Sequence, residues 1–163
     1  MNEDRREVPE GSGAGEIALV CSSGGHLREL YALRSAWEGR EHFWVTFPTA
    51  DAVGLLSGET SLWAFYPTNR NLFNLVRNTF LALRILRRRR PSLVISTGAG
   101  VGVPFLLVAK ILGIPTLFIE SLTRVKDLSL TGRLVYPWVD RFLVQWEELA
   151  ALYPKTLFRG RVL

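Results

Sequence analysis

The sequence predicts an α/β domain with a doubly wound parallel sheet, on three observations. Short runs rich in β-branched and aromatic residues alternate with segments of helical periodicity. Two of the strand-to-helix turns are glycine-rich. Of the 163 residues, 48% are hydrophobic, enough for one core that covers a sheet on both faces. Alternation of strand and helix implies crossover connections, and crossovers make neighbouring strands parallel.

Residues 1–15 (MNEDRREVPEGSGAG) contain no apolar run and read as a flexible lead-in, not a signal peptide, so the folded domain is 16–163. Its first strand is 17–21 (IALVC), followed by a helix over 27–37. A second strand over 43–47 leads to a short helix over 50–56, and a third over 62–66 leads to a long helix over 71–88. The uncharged stretch 91–109 is about as long as a membrane span. Gly98, Gly100, Gly102 and Pro104 cluster in its middle, so it reads as a strand over 93–96, a turn and a helix over 104–112. Strands over 116–119 and 142–145 and helices over 130–138 and 146–152 complete the pattern.

A single cysteine, Cys21, excludes an internal disulfide framework and a cysteine-based zinc site, and two histidines make any metal centre a poor reading. The net charge is +5, unevenly placed. Between Glu59 and Glu120 there is no acidic residue, while Arg70, Arg77, Arg84, Arg87, Arg88, Arg89, Arg90 and Lys110 fall inside. Such a region faces phosphate in some form. In the helix that begins near Asn71, Arg77, Arg84 and Arg88 share one side, together with the preceding Arg70, within about 40° of one another. Leu72, Leu75, Val76, Phe80, Leu83 and Leu86 fill the opposite arc, the expected core face. Leu81 lies among the arginines, with Phe73 and Ile85 beside them. A cationic face interleaved with apolar side chains suits an anionic membrane surface, with Arg77, Leu81, Arg84, Ile85 and Arg88 as the contact residues and Trp63 and Phe105 nearby. No nucleic-acid-binding motif accompanies the charge, so nucleic acid is not the expected partner.

Three turns are candidates for chemistry. Ser22, Ser23, Gly24 and Gly25 end the first strand and enter a helix, an arrangement that presents backbone N–H groups to a phosphate. His26, at the helix start, is placed as a general base or phosphate donor. Thr97, Gly98, Gly100 and Gly102 form the second turn, and Glu120 stands just beyond the fifth strand, where a carboxylate is either a base or a loop cap. In an open parallel sheet all three lie at the carboxyl edge, where ligands bind.

The segments IALVCSSGGHLREL, LVISTGAGVGVPFLLVAKILGIPTLFIES and GRLVYPWVDRFLVQWEELAALYP together resemble the acceptor-side subunit of the split glycosyltransferase that adds the second GlcNAc in asparagine-linked glycosylation, and its bacterial polysaccharide-biosynthesis counterparts. They are more distantly similar to the N-terminal half of the peptidoglycan lipid-intermediate GlcNAc transferase, whose GGxGGH-type loop takes the place of Ser22 to His26. The resemblance implies a Rossmann-like domain equivalent to the N-terminal half of a GT-B glycosyltransferase. It implies a heterodimer with a donor-binding subunit, no cofactor, and peripheral attachment to the cytoplasmic face of the membrane. The donor is a UDP-sugar, with GlcNAc or glucuronic acid transferred, and the acceptor is linked to polyprenyl diphosphate. On this reading Ser22, Ser23, Gly24 and Gly25 seat the acceptor pyrophosphate and His26 or Glu120 is the base. Thr97, Gly98, Gly100 and Gly102 then shape the cleft or the donor side. The alternative is a non-catalytic scaffold that recruits a catalytic partner to the membrane.

Overall fold

The computed structural model describes residues 15–162, so the proposed lead-in lies almost wholly outside the described residues. Seven strands, β1 (Ile17–Cys21), β2 (His42–Thr46), β3 (Ser61–Trp63), β4 (Leu93–Gly98), β5 (Thr116–Ile119), β6 (Arg141–Val144) and β7 (Thr156–Phe158), form one sheet in the order β3-β2-β1-β4-β5-β6-β7. Every pairing is parallel. The chain winds from β1 out to β3, returns to β4 beside β1, and then runs to the far edge. The winding therefore reverses between β1 and β4, the position where sheets of this kind bind ligands.

The helices are α1 (Gly25–Ala32), α2 (Ala50–Leu55), α3 (Leu72–Arg89), α4 (Gly102–Ile111), α5 (Leu130–Val135) and α6 (Glu147–Leu152). Alternate residues of the strands feed two core layers, as the period of two requires. Ala18, Val20, Phe43, Val45, Val94 and Phe118 pack against α3 and α4. Ile17, Leu19, Cys21, Trp44 and Ile95 pack on the other face with Leu27 and Leu30 of α1 and Ala52 of α2. Cys21 is wholly buried, and burial pushes its thiol far up from its ordinary pKa, so it is inert filling.

Two local expectations change. The helix over 27–37 ends at Ala32, and a 3-10 turn (Arg34–Ala36) follows. This turn folds Trp37 inward, where its indole donates to the Leu30 carbonyl at 3.3 Å and packs edge-on to Trp44. β7 has no counterpart in the sequence reading, since three residues are too few to show periodicity.

The face that α3 buries is the larger correction. Its core side carries Asn74, Asn78, Leu81, Ala82, Ile85, Leu86 and Arg89. Leu81 and Ile85, expected at a membrane, are 8% and 0% exposed, while Leu72, Val76 and Phe80, expected in the core, are 73%, 47% and 69% exposed. Trp63 and Phe105 are buried as well. The rotation has a physical cause: polar side chains on the inner face have partners outside the helix. Asn78 accepts from Phe65 N and donates to Phe65 O, both at 2.9 Å. Asn74 donates to Pro67 O at 2.9 Å. Arg89 forms a buried two-point ion pair with Glu16 and lies 4.5 Å from the Phe43 ring centre.

Candidate functional site

The C-terminal ends of β1, β3, β4 and β5 converge on a cavity of about 580 Å³. Its wall carries polar groups, among them His26, Thr68, Ser121, Thr123 and Thr131, and the apolar side chains Leu72, Leu75, Val103, Leu130 and Leu134 of α3, α4 and α5. Arg70 and Arg124 belong to the same wall, and no Asp or Glu does. Leu72 and Leu130 are also 73% and 75% exposed, so the apolar side opens onto the surface between α3 and α5.

His26 reaches the cavity from the first turn of α1. The β1–β4 register passes from Val20↔Ser96 to Cys21↔Gly98 and leaves Thr97 without a partner on β1. The Thr97 carbonyl sits 2.8 Å from His26 Nδ1, and the Thr97 hydroxyl donates to the His26 carbonyl at 2.8 Å. A carbonyl can only accept, so Nδ1 carries a proton, and in the neutral imidazole it is Nε2 that keeps the lone pair. Nε2 has no hydrogen-bond partner among the described residues. The imidazole is thus fixed in the tautomer that suits a base.

Glu120 is held differently. It is 1% exposed, its Oε1 accepts from Ser121 N, and its Oε2 accepts from Ser129 N and Oγ. Ser129 Oγ in turn accepts from Gly132 N and caps α5. A Cβ on Gly132 would lie 2.2 Å from Glu120 Oε2, so only glycine permits this contact. Glu120 organises the loop between β5 and α5 and does not line the cavity.

The serine–glycine turn also lies off the cavity: Ser22, Ser23, Gly24 and Gly25 take no part in its wall. Gly24 N donates to Asp51 Oδ2 at 3.0 Å, so a carboxylate of α2 already answers this amide. Of the second turn, Gly100 lines the cavity, where a Cβ would come within 2.8 Å of Thr68. Thr97 and Gly98 instead hold and make room for His26, since a Cβ on Gly98 would meet His26 Cε1 at 3.3 Å. Gly102 packs on Ser96.

The sequence reading missed Arg70, Arg124 and the hydroxyls around them. Arg70, grouped in sequence with the cationic side of the helix, belongs to the loop before it: α3 begins at Leu72, with Asn71 as N-cap accepting from Asn74 N at 3.0 Å. The Asn71 to Asn74 spacing was the available signal. On the exposed side of α3 the first half presents Leu72, Phe73, Val76 and Phe80, and the second half presents Arg84, Arg87 and Arg88, with the exposed Arg90 just beyond its end. Arg77 is exposed but stacked 3.7 Å from the Phe65 ring centre. No helix among the described residues is long and apolar enough to cross a membrane.

Residues 66–162 match the family described as "Oligosaccharide biosynthesis protein Alg14 like". In a 178-residue alignment the chain is 32% identical to the "UDP-N-acetylglucosamine transferase subunit ALG14" of Mus musculus, covering 90% of this chain and 82% of the mouse protein. With the human protein of that name identity is 28% over 177 residues, with the same coverage, 90% and 82%. Among solved structures, MurG of Acinetobacter baumannii superposes with a TM-score of 0.66 and 19% identity over 80% of this chain and 41% of its own. MnaA of S. aureus, solved with UDP, superposes with a TM-score of 0.73 and 12% identity over 91% of this chain and 44% of its own. The chain therefore spans less than half of these two proteins, and its fold is the Rossmann-like half of a GT-B architecture. The sequence match and the fold together establish that the chain belongs to the Alg14-like family of oligosaccharide biosynthesis proteins.

Proposed function

We propose that the chain is the acceptor-side, membrane-associating subunit of a two-chain UDP-GlcNAc transferase, with a polyprenyl-diphosphate-linked sugar as acceptor and a separate subunit holding most of the UDP-sugar. The name of the mouse and human relatives favours GlcNAc over glucuronic acid as the transferred sugar. The observation that carries the reading is His26: a base-competent imidazole in a cavity whose apolar rim continues into an exposed apolar and basic helix face.

In this reaction the acceptor hydroxyl oxygen forms a bond to the donor's anomeric carbon as the bond from that carbon to the UDP oxygen breaks. The hydroxyl proton passes to His26 Nε2, and UDP leaves with the electron pair. Attack from the face opposite UDP inverts the anomeric centre. Electrostatic support for the departing UDP comes from the partner. Peripheral attachment rests on Leu72, Phe73, Val76 and Phe80, which replace Leu81 and Ile85 as the apolar contacts, with Arg84 and Arg88 beside them.

The test is transfer by the reconstituted pair to a sugar linked to a short prenyl diphosphate. His26→Gln is expected to lower kcat by roughly 100-fold or more, the usual worth of a general base. A wild-type rate from His26→Gln would leave the non-catalytic scaffold as the surviving reading.

A further inference from the structure

The polar end of the cavity has no assigned occupant. We infer that Arg70 and Arg124 form a clamp for a phosphoryl group carried on an apolar chain, with the chain leaving between Leu72 of α3 and Leu130 and Leu134 of α5. This deepens the acceptor-side reading above, and it moves the phosphate away from Ser22, Ser23, Gly24 and Gly25.

Four observations carry it. Arg70 and Arg124 face one cavity from two loops, with no acidic residue in its wall. Neither arginine has an ion-pair partner among the described residues, whereas Arg89, Lys110 and Arg133 are paired with Glu16, Asp140 and Asp127. Two uncompensated guanidinium groups with hydroxyls beside them, Thr68 and Thr123, match a phosphate's charge and its several acceptor oxygens. Leu72, Leu75, Val103, Leu130 and Leu134 line the same cavity, and it reaches the surface at Leu72 and Leu130, which suits a chain of methyl-branched or methylene units. The serine–glycine turn offers less, because Asp51 already accepts from Gly24 N and places a negative charge there.

The backbone at Arg70 agrees. Its φ is +51°, a left-handed conformation that asparagine adopts more readily, and asparagines stand on both sides at 69 and 71. Arginine at this position is a local cost with no packing return inside the fold, since its side chain is exposed.

Binding of farnesyl diphosphate, inorganic pyrophosphate and UDP to the full chain, measured by calorimetry below the micellar range, tests the clamp without any transfer reaction. Farnesyl diphosphate is expected to bind at least tenfold more tightly than pyrophosphate or UDP. Arg70→Asn and Arg124→Gln should each weaken it roughly tenfold, the scale of a charged hydrogen bond. Arg70→Asn also relaxes the backbone, so its melting temperature should hold or rise while binding falls. Leu130→Ser should weaken farnesyl diphosphate and leave pyrophosphate unchanged. Wild-type affinity in both arginine variants overturns the clamp, as does loss of binding in Ser22→Ala with Ser23→Ala but not in the arginine variants. UDP bound as tightly as farnesyl diphosphate and weakened by the same substitutions also overturns it, in favour of a nucleotide site. Intact, arginine-dependent farnesyl binding in a chain whose pair transfers no sugar would instead refute the transferase reading and leave the clamp standing.

Discussion

Thr97 has no partner on β1, and His26 binds the carbonyl that this leaves available, at 2.8 Å, while the Thr97 hydroxyl returns a bond of 2.8 Å to the His26 carbonyl. A register shift between two central strands is thereby converted into a fixed imidazole at the carboxyl edge of the sheet. Thr97→Val keeps the shape and removes only the hydroxyl bond. Its expected effects are a loss of about 1 kcal/mol in stability and, with His26 less firmly placed, a fall of roughly tenfold in kcat with KM little changed. Chemical denaturation and steady-state kinetics of the pair read the two effects separately.

Asn78 is the second support of the site. It is wholly buried and closes two hydrogen bonds on the backbone of Phe65, three residues before Thr68, where this loop joins the cavity wall. Asn78→Ala leaves the part-buried backbone N–H and carbonyl of Phe65 without those partners and should cost about 1–3 kcal/mol. Asn78→Asp keeps the acceptor for Phe65 N but faces its carbonyl with a second oxygen, so it should be no better. Urea unfolding of both variants checks this.

The strands, their parallel order and the carboxyl-edge location of the site were legible in the sequence, because buried parallel strands announce themselves as short apolar runs between helices. The orientation of α3 was not. A count of apolar residues around a helix assumes that polar ones face water, and here Asn74, Asn78 and Arg89 face inward to Pro67, Phe65 and Glu16. The Arg89 partner lies 73 residues away in sequence, so no local charge count reveals it. Glu120 stays ambiguous in sequence for a related reason: a carboxylate after a strand looks the same whether it faces a ligand or, as here, the amides of Ser121 and Ser129.

The rotated helix makes a sharp contrast between neighbours. Phe73→Ser and Phe80→Ser change residues that are 70% and 69% exposed, so folding stability should hardly move. Each should weaken binding to anionic vesicles, by up to about 2 kcal/mol where the ring is fully taken up by the bilayer. Arg84→Gln and Arg87→Gln should each cost about 1 kcal/mol of that binding and lower its salt dependence. Leu81→Ser, by contrast, replaces a core residue and should destabilise the fold by about 3 kcal/mol or more. Vesicle sedimentation alongside thermal melts distinguishes the two classes; vesicle binding unaffected by the phenylalanine changes would remove α3 from the membrane contact.

Acid should loosen the contact between β5 and β6. The hydrogen bond from Lys110, with the hydroxyl and amide of Thr116, holds the Asp140 carboxyl below its ordinary range. A carboxylate whose folded pKa is lowered stabilises the fold above its unfolded pKa, near 4 on the usual scale, and the contribution is lost as pH falls through the folded value. Asp140→Asn should therefore melt below the wild type at neutral pH, with the gap closing on acidification. A gap that is constant with pH would assign the effect to packing.

The Glu16–Arg89 pair fastens the entry of β1 to the end of α3, and it does so in a nearly water-free setting, with the two side chains 3% and 6% exposed. In such a place the pair's net contribution is small, because desolvating two charges offsets most of their attraction, whereas removing one partner strands the other. Glu16→Ala or Arg89→Ala should each cost about 3–5 kcal/mol. Glu16→Leu combined with Arg89→Met should recover most of that loss, since both charges go and the Phe43 ring keeps an apolar neighbour. A double variant as unstable as the singles would mean that the hydrogen-bonded geometry itself, and not the stranded charge, sets the penalty.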